Sequence, residues 1–440
     1  MSYGEDDRIS ALHDDLLGKI ISRLPVKDAA RTAALAPRWR HLWRSTPLVL
    51  NDGHLPEPTR AAAVSRVLAD HPGPFHAVHL HHCRFTTLSP ELAEWPRLLA
   101  AKAVQILFFV NQKPTAQAHP CLPADILRCA SLEELFLACW MLPADHLSRS
   151  TVAFPCLKTL SMLNMGMSDK DLDHLLAASP VLETLVLASP VRRFHLRSQS
   201  LRSVLVFLVG DFAVVDAPLL ERLIFMKPLL NARAARPVTV KIASTTNLQV
   251  LGYMEPMFHK LQIDGNIIPP DTVASPSTVV PAVRTLALKV NFCVLEELKM
   301  VATLLRCFPN LSTLHIQSVP CDLSETAAAG EHHAQFWREV GPVQCVRSSV
   351  KRIVFHKFHG HQNEFEFLKF VARGNALETL LLVSPKEKLL SEDEVNAMID
   401  KLGCTRFRAW TSKVLQLSPE VENDWSPMKA CKLTVSDPFR

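Results

Sequence analysis

Two periods of apolar residues divide this chain. Near its start, Leu12, Leu16, Leu17, Ile20, Ile21 and Leu24 recur at steps of three and four, the spacing of an amphipathic helix with a broad apolar stripe. Pro25 removes a donor and clashes with a continuing turn, so this helix is expected to end there. Asp28 opens an Ala-rich segment that predicts a second helix from Ala29 to Leu35. Trp39 and Trp43, one turn apart, predict a third helix with both indoles on one face. Three helices in roughly 40 residues make a unit too small to be stable alone. Their apolar faces need cover, either from the rest of the chain or from a partner.

From about residue 75 the period changes to apolar, two residues, apolar, one residue, apolar. Clear copies are Leu132/Leu135/Leu137, Leu157/Leu160/Met162, Leu182/Leu185/Leu187, Leu220/Leu223/Phe225, Leu311/Leu314/Ile316 and Leu377/Leu380/Leu382. Weaker ones begin at Phe75 and Val104, and the spacing between copies runs from 19 to 39 residues. A unit this short cannot bury its own apolar side, and stacking neighbours into a solenoid solves that. The competing reading is an ordinary α/β domain with Leu-rich strands. The longest gaps, 253–283 and 316–350, are rich in turn-forming or polar residues and are expected to be inserted loops. Residues 47–73 read as a linker with a helix from Glu57 to Asp70, and Ser391 with Glu394 as the capping box of a helix running to Leu402.

Composition narrows the function classes. Apolar residues make up 48% and charged residues 21%, which fits an ordered protein. The net charge of +5 is spread along the chain, so charge does not imply nucleic acid. No apolar run approaches the roughly 18–20 residues of a membrane span. Eleven cysteines contain no Cys-x-x-Cys pair, and no secretory leader is evident. These features predict reduced thiols and a cytoplasmic or nuclear protein.

Catalytic signatures are missing. There is no Gly-x-Gly-x-x-Gly, Walker-type loop, His-Glu-x-x-His or Gly-x-Ser-x-Gly. Ser-x-x-Lys occurs at Ser348/Lys351 and Ser426/Lys429 without its partner motifs. His76, His79, His81, His82 and Cys83 form the densest set of ligand types. On a strand, His79, His81 and Cys83 share one face and His82 points away. Zinc needs four converging ligands, so a solvated strand and turn is the reading here. No metal or other cofactor is expected.

Two resemblances build on these patterns. The run Asp7-Arg8-Ile9-Ser10, Leu12, Asp14 to Leu17, Ile20 to Pro25, Asp28 to Thr32, Leu35, Arg38 to Arg40 and Leu42-Trp43 resembles the F-box of plant SCF-type ubiquitin ligases. That resemblance implies that Leu12, Leu16, Leu17, Ile20, Leu24, Pro25, Leu35 and Trp39 contact a Skp-family adaptor, or set the helices that do. Through the adaptor the chain would reach a cullin. Two positions depart from the family pattern. His13 stands where a Pro is usual, and Ala36-Pro37 stands where a Ser and a basic residue are usual. Losing the Ser cap costs about 0.5–2 kcal/mol. The second resemblance is to the FBD domain, carried by Val350 to Gly360, Asn363 to Val371 and Ala376 to Glu378, with Ser436-Asp437-Pro438-Phe439 fitting its ending.

The repeated pattern itself resembles a degenerate leucine-rich repeat, and together these resemblances imply an α/β architecture: an N-terminal three-helix F-box, then an irregular leucine-rich-repeat solenoid with a curved parallel sheet. The boundaries are a tail at 1–7, F-box at 8–46, linker and helix at 47–73, repeats at 74–345 and an FBD-like region at 346–440. The position between the last two leucines of each repeat should face the concave side. Phe136, Val186, Leu205, Ile224 and His315 are the candidate target-binding residues, in a row that also holds Ser161, Gly252, Ala287, Val354 and Leu381. The set is mostly apolar, which suits a protein target and suits phosphate poorly. The expected function is target recognition for ubiquitin transfer without catalysis, the alternative being an interaction scaffold that holds the adaptor with no transfer. The target itself stays unidentified, and neither nucleic acid nor membrane is expected as a partner.

Overall fold

The structure, a computed structural model, describes residues 9, 11–86, 89–112, 119–143, 153–226, 237–243, 246–273, 275–320, 335–384, 415–419 and 427–439. The helix expected at 391–402 lies outside these residues. The chain divides into two compact units, Met1–Val191 and Arg192–Arg440.

The first unit opens with α1 (Asp14–Ile21), α2 (Val26–Thr32) and α3 (Pro37–Ser45). The departures from expectation have local causes. His13 is the N-cap of α1 and its ring accepts from the Asp15 N–H, so it replaces the usual Pro with a cap. Helix α1 stops at Ile21, four residues before Pro25, and Pro25 becomes the N-cap of α2, which starts earlier than Asp28. Pro37 takes the first position of α3, where a missing N–H costs little, and Ala36 makes no side-chain cap.

The linker expected at 47–73 already contains sheet. Strand β1 (Leu48–Asn51) pairs in parallel with β2 (Phe75–Leu80), and α4 (Arg60–Asp70) lies between them in sequence. Then follow α5 (Glu91–Ala101), β3 (Ile106–Val110), β4 (Glu134–Ala138), β5 (Thr159–Leu163), α6 (Asp169–Ala177) and β6 (Thr184–Arg197), which crosses the unit boundary. Each strand is parallel to the next, with Val78, Leu107, Leu135, Leu160 and Leu185 in register. All five are 0–1% exposed and form one ladder of the core. Serial parallel pairing of this kind is a repeat solenoid.

The second unit continues the pattern with β7 (Ser203–Asp216), β8 (Arg222–Met226), β9 (Val238–Ile242), β10 (Val250–Met254), β11 (His259–Ile263), β12 (Asn266–Ile267) and β13 (Thr285–Val290). After these come α7 (Leu295–Cys307), β14 (Thr313–Ser318), α8 (Gln344–Ser348), β15 (Arg352–His356), α9 (Gln362–Val371), β16 (Thr379–Ser384), β17 (Leu415–Pro419) and α10 (Pro427–Cys431). The main parallel run is β7, β8, β10, β13, β14, β15, β16, β17.

The gap 253–283, expected to be a loop, instead contributes a side branch. Strand β9 joins the far half of β7 and pairs with β11, which turns back as a hairpin onto β12. The two-residue turn is Asp264-Gly265, both at positive φ (48° and 84°). This is the geometry a two-residue hairpin demands and Asp-Gly supplies. Below the sheet, α9 packs Phe367 and Phe370 against Trp337. Its N-terminus is closed by the buried Glu364, which accepts from His361 N (2.9 Å) and Ser318 Oγ (2.6 Å).

Eight described cysteines are free, but Cys293 is disulfide-bonded. This corrects the expectation of reduced thiols throughout. A disulfide needs two Cα atoms about 4.4–6.8 Å apart, which spacing in sequence does not reveal.

Candidate functional site

Helix α1 carries two stripes. Leu17 and Ile21 point inward and are fully buried, as are Ala29 of α2 and, nearly so, Trp39 and Leu42 of α3. Leu12, Leu16 and Ile20 follow one another at four-residue steps on the other side. Leu16 is 46% exposed and Ile20 39%, and Leu35 after α2 is 67% exposed. Pro25 is exposed, and Leu12 and Leu24 are partly so. The eight residues expected at the adaptor surface therefore divide by role. Leu17 and Trp39 fix the helices from inside. The others present apolar surface outward.

An ion pair braces this surface, with Arg38 reaching Asp14 (2.5 Å) and the Leu12 carbonyl (2.7 Å). Trp43 is only partly buried and packs on His71 with ring centres 4.6 Å apart and planes tilted by 47°. His71 is itself buried, and its carbonyl accepts from Lys102. A cleft of about 1140 Å³ borders α1 and is lined by residues including Asp14, Lys19, Leu24 and Pro25 on one side and Phe75 and His79 on the other.

The histidine cluster resolves as a structural clamp. Asp52 is fully buried and accepts from the backbone N–H groups of His81 (3.0 Å), His82 (2.7 Å) and Cys83 (3.1 Å), with His82 Nδ1 at 3.0 Å. Burial opposes its charge, but these donors hold its carboxyl below the ordinary value. Among the described residues, no group of three metal-ligating side chains converges.

The row expected on the concave side exists and is in register. In the first unit it runs Asn51, His79, Phe108, Phe136, Ser161, Val186. His79 and Phe108 lie 4.8 Å apart, and Phe108 stacks on Phe136 at 5.2 Å with an 18° tilt. These three rings are partly exposed, whereas Ser161 and Val186 are 1% and 6% exposed. Burial pushes the His79 imidazole pKa down, keeping it neutral beside the rings.

In the second unit the row runs Leu205, Ile224, Gly252 and then Ala287, His315, Val354, Leu381. Here the expectation of a free surface is corrected: Leu205, Ile224 and His315 are all 0% exposed. The chain's own end lies against this face. Helix α10 packs on β7. Arg222, two residues before Ile224 and on the same side of β8, donates to the carbonyls of Ala430 (3.4 Å), Lys432 (2.9 Å), Leu433 (3.2 Å) and Val435 (2.6 Å). Phe439 is 2% exposed and packs on Tyr253 (5.0 Å) and His315 (5.2 Å). Gly252 leaves room for it: a Cβ there would sit 2.9 Å from the Phe439 ring and 2.5 Å from Ala287 Cβ. Asp437 approaches His315 Nε2 at 3.1 Å and Arg352 at 3.9 Å.

The described part of the chain has no helix long and apolar enough to cross a membrane. Comparison with known families adds the following. A model of the F-box domain matches residues 9–51. A model described as FBD-associated F-box protein At5g56370, LRR repeats, matches residues 92–316, just over half of the chain. An FBD model matches residues 338–380. Among similar proteins of Arabidopsis thaliana, a putative FBD-associated F-box protein, At3g50710, is 32% identical over 49% of this chain and 54% of its own length. F-box/LRR-repeat protein At3g26922 is 32% identical over 41% of this chain and 59% of its own length. F-box/FBD/LRR-repeat protein At5g53840 is 24% identical over 89% of this chain and 90% of its own length. The matches thus span a little over half the length of the first two relatives.

Proposed function

The chain belongs to the family of FBD-associated F-box proteins with leucine-rich repeats, and from that premise we propose that it is the target-recognition subunit of an SCF-type ubiquitin ligase. The observation that carries this reading is the stripe of Leu16, Ile20 and Leu35, left bare on helices whose inner stripe is fully buried. An apolar surface of this kind on a small helical unit fits a partner helix laid against it. A Skp-family adaptor is that partner, and a cullin follows through it. Target proteins bind the repeats. The described exposed row, with the His79, Phe108 and Phe136 rings, is the apolar surface best suited to one. The mechanism is proximity: the chain holds a target near a ubiquitin carrier at high effective concentration and itself takes no part in bond making.

Binding of the full chain to a plant Skp adaptor tests the reading. Wild type should bind at micromolar affinity or tighter. Leu16→Asp should weaken binding at least 100-fold, and Leu24→Ala/Pro25→Ala at least tenfold, with unchanged circular dichroism. A folded wild type that ignores the adaptor would overturn the ligase reading. Adaptor binding with no ubiquitin on any captured target would favour a scaffold.

A further inference from the structure

We propose that the covered face of the second unit is a peptide-binding site, that residues 427–439 are its built-in ligand, and that a target with the same chemistry displaces them. That chemistry is a short turn-forming segment carrying Asp two residues before an aromatic ring.

Recognition has two parts. The first reads only main chain. The Arg222 guanidinium, in a residue 7% exposed, spans carbonyls from Ala430 to Val435. Its planar fork suits such multiple acceptance, and its charge faces the C-terminal end of α10, where the backbone carbonyls lack helical partners. Along this stretch Lys432 and Thr434 are exposed and Leu433 and Val435 partly buried, and the Val435 N–H donates to the Lys432 carbonyl at 3.0 Å, closing a turn on the surface. Any peptide that turns in this way could use this part.

The second part reads side chains. Phe439 enters the space above Gly252, between Tyr253 and His315. The Asp437 carboxylate sits between His315 and Arg352 and accepts from the Phe439 N–H at 3.2 Å, which fixes the spacing between acid and ring. His315 in turn meets His356 through Nδ1 at 3.2 Å.

The seat is incompletely satisfied. Arg352 Nε and Nη2 and Asp437 Oδ2 are buried without an aligned hydrogen bond. Buried polar groups left this way lower the affinity of whatever occupies the site. A permanent part of the core would be expected to satisfy them. An occupant meant to leave need not. The tail competes at the high effective concentration of a tethered ligand, so a target must match its chemistry to enter. The proposal takes its biological purpose from the receptor reading above, but its test needs no adaptor.

The test uses the full chain and a fluorescent peptide of residues 427–439. Wild type should bind the peptide weakly, because its own tail occupies the site. Asp437→Ala/Phe439→Ala in the full chain should vacate the site and bind the same peptide at least tenfold more tightly. Peptides with either substitution should bind the vacated chain at least tenfold more weakly than the native peptide. A folded double variant that binds no peptide, or binds the altered peptides equally well, would overturn the proposal. A protease site placed at residues 421–426 of the otherwise native chain keeps the test decisive where that variant fails to fold. After cleavage, the segment should exchange for labelled peptide while the remainder stays folded. Unfolding on its loss, or no exchange, would show the tail to be core. Adaptor binding measured on the same samples separates the outcomes: loss of peptide binding leaves the F-box reading standing, and the reverse holds as well.

Discussion

The same row of positions is built twice in this molecule and ends in two different states. In the first unit, its rings at His79, Phe108 and Phe136 meet solvent. In the second, Leu205, Ile224, Ala287 and His315 are fully buried, with the chain's own end packed at that face. The repeat pattern is alike in both, so pattern alone does not decide what a solenoid face is for. What differs is a short segment over a hundred residues further along the chain, and one arginine that gathers its carbonyls.

Removing the ring of Phe439 should separate the two faces most strongly. Phe439→Ala deletes a buried side chain, a change that ordinarily costs about 3–5 kcal/mol, and denaturant unfolding of the second unit should register it. If the tail docks more weakly than that, the loss stops at the docking energy, and adding Asp437→Ala to the variant changes nothing further. Additive losses would instead make the tail core.

Acid should act next, on the tail of the second face. Burial and the neighbouring His315 push the His356 imidazole down to about 4, against an ordinary 6.5. The folded state thus favours neutral His356, and the stability this provides is complete above pH 6.5 and lost as pH falls toward 4. Burial disfavours the Asp437 charge, but His315, the Phe439 N–H and Arg352 outweigh it and hold the carboxyl below its ordinary 3.8. Its contribution is present above that value and lost as pH falls through the lower one. Both groups therefore loosen the tail in acid, and Lys357 adds repulsion for a charged His356. Amide protection factors across residues 430–439 should fall as pH drops from 6.5 to 4. Asp437→Asn should lose about 1.5–3 kcal/mol at pH 7 and show a shallower pH dependence.

The smallest effect belongs to the open face. Phe108→Ala and Phe136→Ala each remove a partly exposed ring from a stacked pair, and each should cost about 1 kcal/mol in unfolding. A target bound there should nonetheless be lost. Equal destabilisation by Phe136→Ala and Phe439→Ala would erase the contrast.

The sequence shows where strands lie and which side of each is apolar, because a period set by strand geometry is written into neighbouring residues. Leu135, Leu160 and Leu185 fall on one ladder as their spacing implies. The F-box helices were equally legible, to within a turn at Ser22 and Val26. Contacts between distant segments were not. Nothing near Ile224 signals that Phe439 and Asp437 return to its sheet, and the meeting of Arg222 with Val435 spans 213 positions. One missed element was local and readable: Asp264-Gly265 between apolar-alternating segments is a strong hairpin signal. Asp52 as a clamp had no such signal, since a buried carboxylate is recognised only by the N–H groups that surround it.

One joint has a consequence of its own. Helix α3 ends at Ser45 and β1 begins at Leu48, while Thr46 is buried and caps back to Leu42 at 2.8 Å and Trp43 rests on His71. The three helices and the first strands of the sheet are thus joined stiffly, with no slack between them. For a receptor of the proposed kind this makes the first unit a ruler: wherever the helices dock, the reach and bearing of the open face are already set. Lysines on a target would then be chosen by where they fall along that arc. Lengthening the joint with a few glycines between Ser45 and Leu48 should leave both binding events intact while changing which lysines are modified.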